Sequence, residues 1–186
     1  MPVRPFQVEP TEISGLNVIE MKQVSDERGT VRELFRSSDM EDAGFALARW
    51  AQVNVTASRQ GVVRGLHGEE MTKLVTVVAG SALGAYLDAR RGSETFGRTV
   101  TVDLRPGRAV LLAPGICNGF QATADGWTEY FYCFDREWQP GMEGVAVNAF
   151  DPALGIPWPL AIDGSDRSLL SEKDAALPML ADIVTA

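Results

Sequence analysis

Histidine is the side chain whose ordinary pKa lies closest to the pH at which most enzymes work, so it is the usual carrier of protons in catalysis. This chain of 186 residues holds one, His67, within Gly61-Val62-Val63-Arg64-Gly65-Leu66-His67-Gly68. Imidazole chemistry can therefore occur at a single place, and any site that needs two imidazoles is excluded. Gly65 and Gly68 bracket the histidine and leave room for a ligand to approach. Arg59 and Arg64 lie just upstream, where guanidinium groups could hold phosphate oxygens by charge-assisted bonds. The competing reading is a structural histidine hydrogen-bonded inside the fold, and the flanking glycines and arginines shift the balance toward a site.

Other chemistries find less support. Metal sites in β-sandwich proteins usually draw on several imidazoles, and no calcium-loop cluster of Asp and Glu offers an all-oxygen alternative, so no metal is expected. No Gly-x-Ser-x-Gly elbow accompanies His67, which argues against a serine nucleophile. Cys117 and Cys133 lack metal-like spacing and lie in apolar runs, where a buried small hydrophobe is the simpler reading. The net charge of −8 opposes binding to nucleic acid or to anionic lipid, though a local arginine cluster can still hold a small anion. No stretch has the length of a membrane span or the pattern of a signal peptide, so a cytoplasmic protein of one domain, 1–186, is expected.

The elements that must position His67 read as strands. Apolar and β-branched runs occur at Leu16–Met21, Val31–Phe35, Ala48–Val55, Leu74–Ala79, Leu83–Ala89, Thr99–Leu104, Ala109–Ala113, Phe120–Thr123 and Trp127–Asp135, with Gly and Pro turns between them. Many short strands and few helical signals predict an all-β sandwich or barrel. Ser38–Ala43 reads as a short helix closed at Gly44. Ser171 followed by Asp174 predicts a capped helix start. Phe150–Asp166, rich in Pro, Gly and Trp, reads as a wrapping segment rather than a strand, so a core of about 15–150 is followed by a wrap over 151–186.

Further motifs stand in a fixed order around the histidine. Asp26-Glu27-Arg28-Gly29 comes first, then Gln52-x-Asn54, Arg64-Gly65-Leu66-His67 and Lys73-Leu74-Val75. Ser93-x-Thr95-Phe96-Gly97, Pro114-Gly115-x-x-Asn118-Gly119-Phe120 and Tyr132 follow, then Asp151-Pro152-x-Leu154-Gly155-Ile156-x-Trp158-Pro159 and Ser171-x-Lys173-Asp174. Singly each is weak; in this order, from about Gly15 to about Leu180, they resemble the dTDP-4-dehydrorhamnose 3,5-epimerase family.

The resemblance implies a homodimeric, cupin-type jelly-roll β-sandwich that works without cofactor or metal. It implies an isomerase that inverts C3, C5 or both of a nucleotide-linked 4-keto-6-deoxy sugar in deoxysugar biosynthesis. His67 is then the base, Asp174 the carboxylate on its other ring nitrogen, Lys73 the cation beside the developing enolate and Tyr132 the acid on the opposite face. Arg28, Arg59 and Arg64 become candidates for the diphosphate, and Gln52, Asn54 and Glu143 for nucleotide or sugar contacts. Each residue also has a plain structural reading: Asp174 could cap its helix, Lys73 could be a solvated strand end, Tyr132 could be core and Arg28 could anchor a turn.

The chain departs from the family pattern at four places. Asn118 stands where a second active-site histidine is usual, and Gly84 where an aspartate is usual. The loop from His67 to Lys73 is short and lacks the usual glutamine. Trp138 replaces a tyrosine and could still stack on a base or sugar. The short loop and Asn118 together resemble a branch that includes epimerases of GDP-linked 4-keto-heptoses. The alternative function is a non-catalytic module that binds a nucleotide sugar.

Overall fold

β-Branched and aromatic residues between Gly- and Pro-containing turns form antiparallel strands throughout the chain, in a computed structural model that describes residues 2–45 and 49–184. One sheet has six strands in the spatial order β2 (Gln7–Pro10), β3 (Leu16–Glu20), β11 (Arg108–Leu112), β8 (Lys73–Ala79), β13 (Trp127–Phe134) and β6 (Gln52–Arg59). A second has five, in the order β10 (Thr99–Leu104), β9 (Ala82–Asp88), β12 (Ile116–Ala122), β7 (Val63–Glu69) and β14 (Gly144–Ala146). β1 (Val3–Arg4), β4 (Gln23–Asp26) and β5 (Gly29–Arg32) make a small third sheet. The two large sheets face each other as a jelly-roll sandwich of the cupin type.

Three apolar layers explain why several strands are buried on both faces. Between the sheets, Val18, Val75, Val77, Val110, Leu112 and Tyr130 from the first meet Tyr86, Val102, Leu104, Ile116 and Phe120 from the second. The outer face of the five-stranded sheet, with Leu66, Ala85, Leu87 and Cys117, is covered by Val147, Leu154, Leu170 and their neighbours. The outer face of the six-stranded sheet is covered by Phe6, Leu34, Met40, Phe45 and Trp50. Strand β9 is consequently buried along its whole length and shows no polar alternation.

The segment rich in Pro, Gly and Trp lies in the apolar layer on the five-stranded sheet. Phe150, Ile156, Trp158 and Ile162 pack on the five-stranded sheet. Its backbone is held at Leu160, which exchanges two hydrogen bonds with the amide of the fully buried Gln121. The chain continues into α2 (Glu172–Ala175), after α1 (Ser37–Asp42) far upstream, and ends its described course in α3 (Leu180–Val184).

Some boundaries differ from the sequence reading. Thr99–Leu104 is matched residue for residue, whereas the run begun at Ala48 starts as a strand at Gln52, and Ala48 itself lies outside the described residues. The run at Val31–Phe35 pairs only as far as Arg32. Strand β7, which carries His67, was not evident, because Gly65 and Gly68 interrupt its apolar pattern. Those glycines let β7 and β12 pack closely: a Cβ on Gly65 would lie 2.6 Å from Gly119 Cα, and one on Gly119 would lie 2.6 Å from the Arg64 carbonyl oxygen. Gly119→Ala is therefore expected to lower stability by about 1–3 kcal/mol, the usual penalty of overpacking, read as a lower urea midpoint.

Candidate active site

Alternation of side chains along each strand decides what meets between the sheets. From the six-stranded sheet, Lys73 and Val75 of β8, Tyr130, Tyr132 and Phe134 of β13, and Gln52, Asn54 and Thr56 of β6 share one face. Register places Tyr132 between Val75 and Asn54, and Phe134 between Lys73 and Gln52. From the facing sheet come His67 and Glu69 of β7 and Asn118 and Phe120 of β12, with His67 and Asn118 directly paired. Together they line a cavity of about 360 Å³, within the range of small-ligand sites. Phe120 and Tyr130 stack at its floor, ring centroids 4.0 Å apart.

His67 Nε2 lies 2.9 Å from Asp174 Oδ1. Asp174 reaches it because Ser171 caps α2 by accepting from the Asp174 N–H at 3.0 Å, which leaves the aspartate carboxylate free to point at β7. Both readings of Asp174 thus meet in one residue: its backbone is capped and its carboxylate serves the histidine. Burial would raise the Asp174 pKa, yet the His67 contact, the Gly65 N–H and Ser171 outweigh it and hold the carboxyl below its ordinary range. An ionised carboxylate only accepts, so Nε2 is the donor, and in the neutral ring the lone pair is on Nδ1.

Lys73 is 3% exposed. Its ammonium forms an ion pair with Glu69 and donates to the His67 carbonyl at 3.1 Å and to Asn118 Oδ1 at 2.8 Å. Across the cavity, Tyr132 Oη and Thr56 Oγ1 are 3.2 Å apart. Arg64 donates to Ser58 Oγ at 3.2 Å and lines the cavity wall. At the rim, the half-exposed Trp138 donates its backbone N–H to Gln52 Oε1 at 2.7 Å, and Gln52 donates to Asn54.

Nine of the twelve residues singled out in the sequence thus line one cavity: His67, Lys73, Tyr132, Asp174, Gln52, Asn54, Arg64, Asn118 and Trp138. Three do not. Arg28 sits at the tip of the β4–β5 hairpin, paired with Asp26 and 90% exposed. Arg59 ends β6 and reaches the Ser168 carbonyl, while Glu143 is exposed just before β14. Thr56, Glu69 and Phe134 were missed, although each stands two residues beyond a residue already named (Asn54, His67 and Tyr132) on the same strand face.

The substitution at Gly84 has a packing cause. A Cβ there would lie 2.7 Å from the hydroxyl of the fully buried Tyr86, so an aspartate and this tyrosine cannot share the space. Two other motifs build turns rather than the site. Burial would raise the pKa of Asp88, but Arg90, Ser93 and Thr95 hydrogen-bond its carboxylate and hold it well below the usual range. Asp151 caps the turn at Ala153 and accepts from the Leu180 N–H. Among the described residues no three His, Cys, Asp or Glu side chains converge as metal ligands. No described helix is long and apolar enough to cross a membrane.

Solved structures share this architecture. The chain superposes on NovW, a 4-keto-6-deoxy sugar epimerase from the novobiocin cluster of Streptomyces spheroides, with TM-score 0.88 and 32% identity over 98% of this chain and 91% of that one. It superposes on a Legionella pneumophila epimerase in complex with dTDP-4-keto-L-rhamnose with TM-score 0.84 and 33% identity, covering 96% and 97% of the two chains. The fold and its cavity therefore define an isomerase of the cupin-type sugar epimerase class. Residues 10–182 match the dTDP-4-dehydrorhamnose 3,5-epimerase family, and the chain belongs to it. A Mycobacterium tuberculosis dTDP-4-dehydrorhamnose 3,5-epimerase is 39% identical over 71% of this chain and 66% of its own length. A dTDP-4-dehydro-6-deoxyglucose 3-epimerase of Streptomyces bikiniensis is 36% identical over 94% of this chain and 89% of its own.

The lowered pKa of Asp174 gives a test of its charge. A depressed folded-state value adds stability above the ordinary 3.8 and loses it as pH falls through the lower folded value. Wild type should therefore exceed Asp174→Asn in unfolding free energy at about pH 5, by a margin that shrinks below pH 3.8. Urea titrations across pH would show this.

Proposed function

We propose that this protein inverts C3, C5 or both of a thymidine-diphospho-4-keto-6-deoxy sugar through an enolate, with the whole chain acting as one catalytic unit. The reading is carried by the 2.9 Å contact between His67 Nε2 and Asp174, in a cavity that His67 lines from one sheet and Tyr132 from the other. The thymidine nucleotide follows from the relatives, whose names and bound ligands are dTDP sugars.

A hydrogen on the carbon beside a ketone is a weak acid, so its removal needs a positioned base and a stabilised oxyanion. His67 takes that proton; the C–H electron pair becomes a C=C bond to C4, and the carbonyl electrons move to oxygen. Tyr132 then protonates the same carbon from the other face as the C=O re-forms. The turn leaves an imidazolium and a phenolate, and one proton passes between them through solvent to reset the site. Lys73 is the nearby cation that favours the enolate. Arg64 serves the diphosphate, Trp138 stacks on the base or sugar, and Gln52, Asn54 and Asn118 bond the sugar and nucleotide.

His67→Asn should abolish deuterium uptake from D2O at the carbon beside the ketone, as proton NMR would report. Tyr132→Phe should keep exchange and suppress inversion. Full exchange in His67→Asn would remove the base assignment, and equal loss of both activities in Tyr132→Phe would remove the division of labour.

We infer a homodimer from apolar side chains left uncovered: Val31 is 72% exposed on the small sheet, and Val53 and Val55 are 52% and 55% exposed on the edge strand β6. Arg28 faces no part of the cavity in its own chain and is proposed to reach a diphosphate held by the second copy. Arg59 and Glu143 act at the periphery. A cytoplasmic setting is supported by two free, buried cysteines. Sedimentation should give twice the chain mass, and Val31→Lys should shift it toward monomer; a wild-type monomer would overturn the dimer.

A further inference from the structure

The Lys73 ammonium has three N–H groups, and three acceptors of the chain take them: Glu69, the His67 carbonyl and Asn118 Oδ1. None remains for a substrate oxygen. For Lys73 to bond the C4 ketone directly, it would have to release one acceptor. Release of Glu69, whose side chain is 20% exposed, would strand its carboxylate beside a buried cation's empty place. Release of Asn118 would leave the Oδ1 lone pairs facing the incoming oxygen.

The same contacts settle which way the Asn118 amide points. An ammonium can only donate, so the amide must turn its oxygen toward Lys73 and its nitrogen away. Asn118 lines the cavity and pairs directly with His67 across β12 and β7. Its Nδ2 side neighbours the Tyr130 hydroxyl, where the amide acts as a donor that lowers the phenol's pKa against its burial, and the nitrogen is not among the buried unpaired atoms. The amide carries two N–H groups, so one remains for a ligand in the cavity beside His67. Lys73 bonded at Oδ1 polarises the amide and strengthens those donors.

We propose that Asn118 Nδ2 is the group that donates to the C4 oxygen as it becomes an enolate, and that Glu69 and Lys73 are positioning residues that hold the amide in that orientation. This rests on the epimerase reading above. The bookkeeping of the reaction is unchanged: the proton still leaves to His67, and Asn118 lends a hydrogen bond without transferring its proton. The missing second imidazole is then replaced by a neutral donor whose direction is set by a buried ion pair. Glu69, two residues past His67 on the same face of β7, acquires a role through Lys73 rather than through the substrate.

The test is deuterium exchange on a thymidine-diphospho-4-keto-6-deoxy sugar, with kcat and KM taken separately. Absence of exchange in the wild type would defeat the epimerase reading itself. Given wild-type exchange, Asn118→Ala should lower kcat about 10²–10³-fold, the loss typical of one oxyanion donor, with KM nearly unchanged. If Lys73 donates directly, the same variant frees one of its N–H groups, and an unchanged or faster rate would overturn the proposal. Asn118→Asp, which keeps the acceptor for Lys73 but has no N–H when ionised, should be as slow, and gives the answer should the alanine variant fail to fold. Glu69→Gln should lower kcat on its own yet add nothing in the Asn118→Ala background, because both act on one hydrogen bond. Additive losses would show that Glu69 does not work through Asn118.

Discussion

A buried ammonium between two β-sheets is tolerable only when each of its donors is met, and Lys73 imposes that condition on this fold. It projects from β8 of the six-stranded sheet, while its acceptors all belong to β7 and β12 of the five-stranded sheet. The side chain is thus a polar tie between the layers at the end where the hydrophobic filling stops. Beyond it, Phe120, Tyr130, Val75 and Val77 close the sandwich by contact. On its near side the layers stay apart, and the space becomes the cavity. A methionine of similar length would fill the same volume, but it would leave the Glu69 carboxylate without a partner and the Asn118 amide free to rotate.

The second dependence runs through the covering of the five-stranded sheet. Trp158, Leu154 and Leu170 bind the C-terminal segment to the outside of that sheet, and the same segment delivers Asp174 around the edge to His67. Apolar burial on one face therefore supplies the free energy that fixes a proton position on the other. The two buried phenols, Tyr86 and Tyr130, belong to the same economy of charge. Burial pushes both far above the ordinary tyrosine pKa, so they stay neutral beside a site that already holds two carboxylates and a cation.

Much of this was legible in the sequence. Period-2 runs such as Thr99–Leu104 identified strands directly, and the fixed order of motifs picked out His67, Lys73 and Tyr132, which line one cavity. What escaped has identifiable causes. Strand β7 was hidden because its two glycines serve close packing against β12 and carry no apolar signal of their own. Glu69 looked like one of two consecutive loop glutamates, and only the pairing of β7 shows that it faces inward while Glu70 does not line the cavity. Arg28 matched a motif yet lies on a sheet apart from the cavity, since a motif records spacing along the chain and not position in space. Gly84 read as a loss at the site, whereas its neighbour Tyr86 requires the space.

The pairing of His67 with Asp174 joins residues 107 positions apart, and every strand of both large sheets precedes the aspartate. Protein synthesis proceeds at about 5–20 residues per second, so the imidazole emerges from the ribosome about 5–20 s before its carboxylate. During that interval the ring has no partner to select its tautomer. The contact that orients the imidazole is thus among the last that synthesis makes available, after every strand of both large sheets.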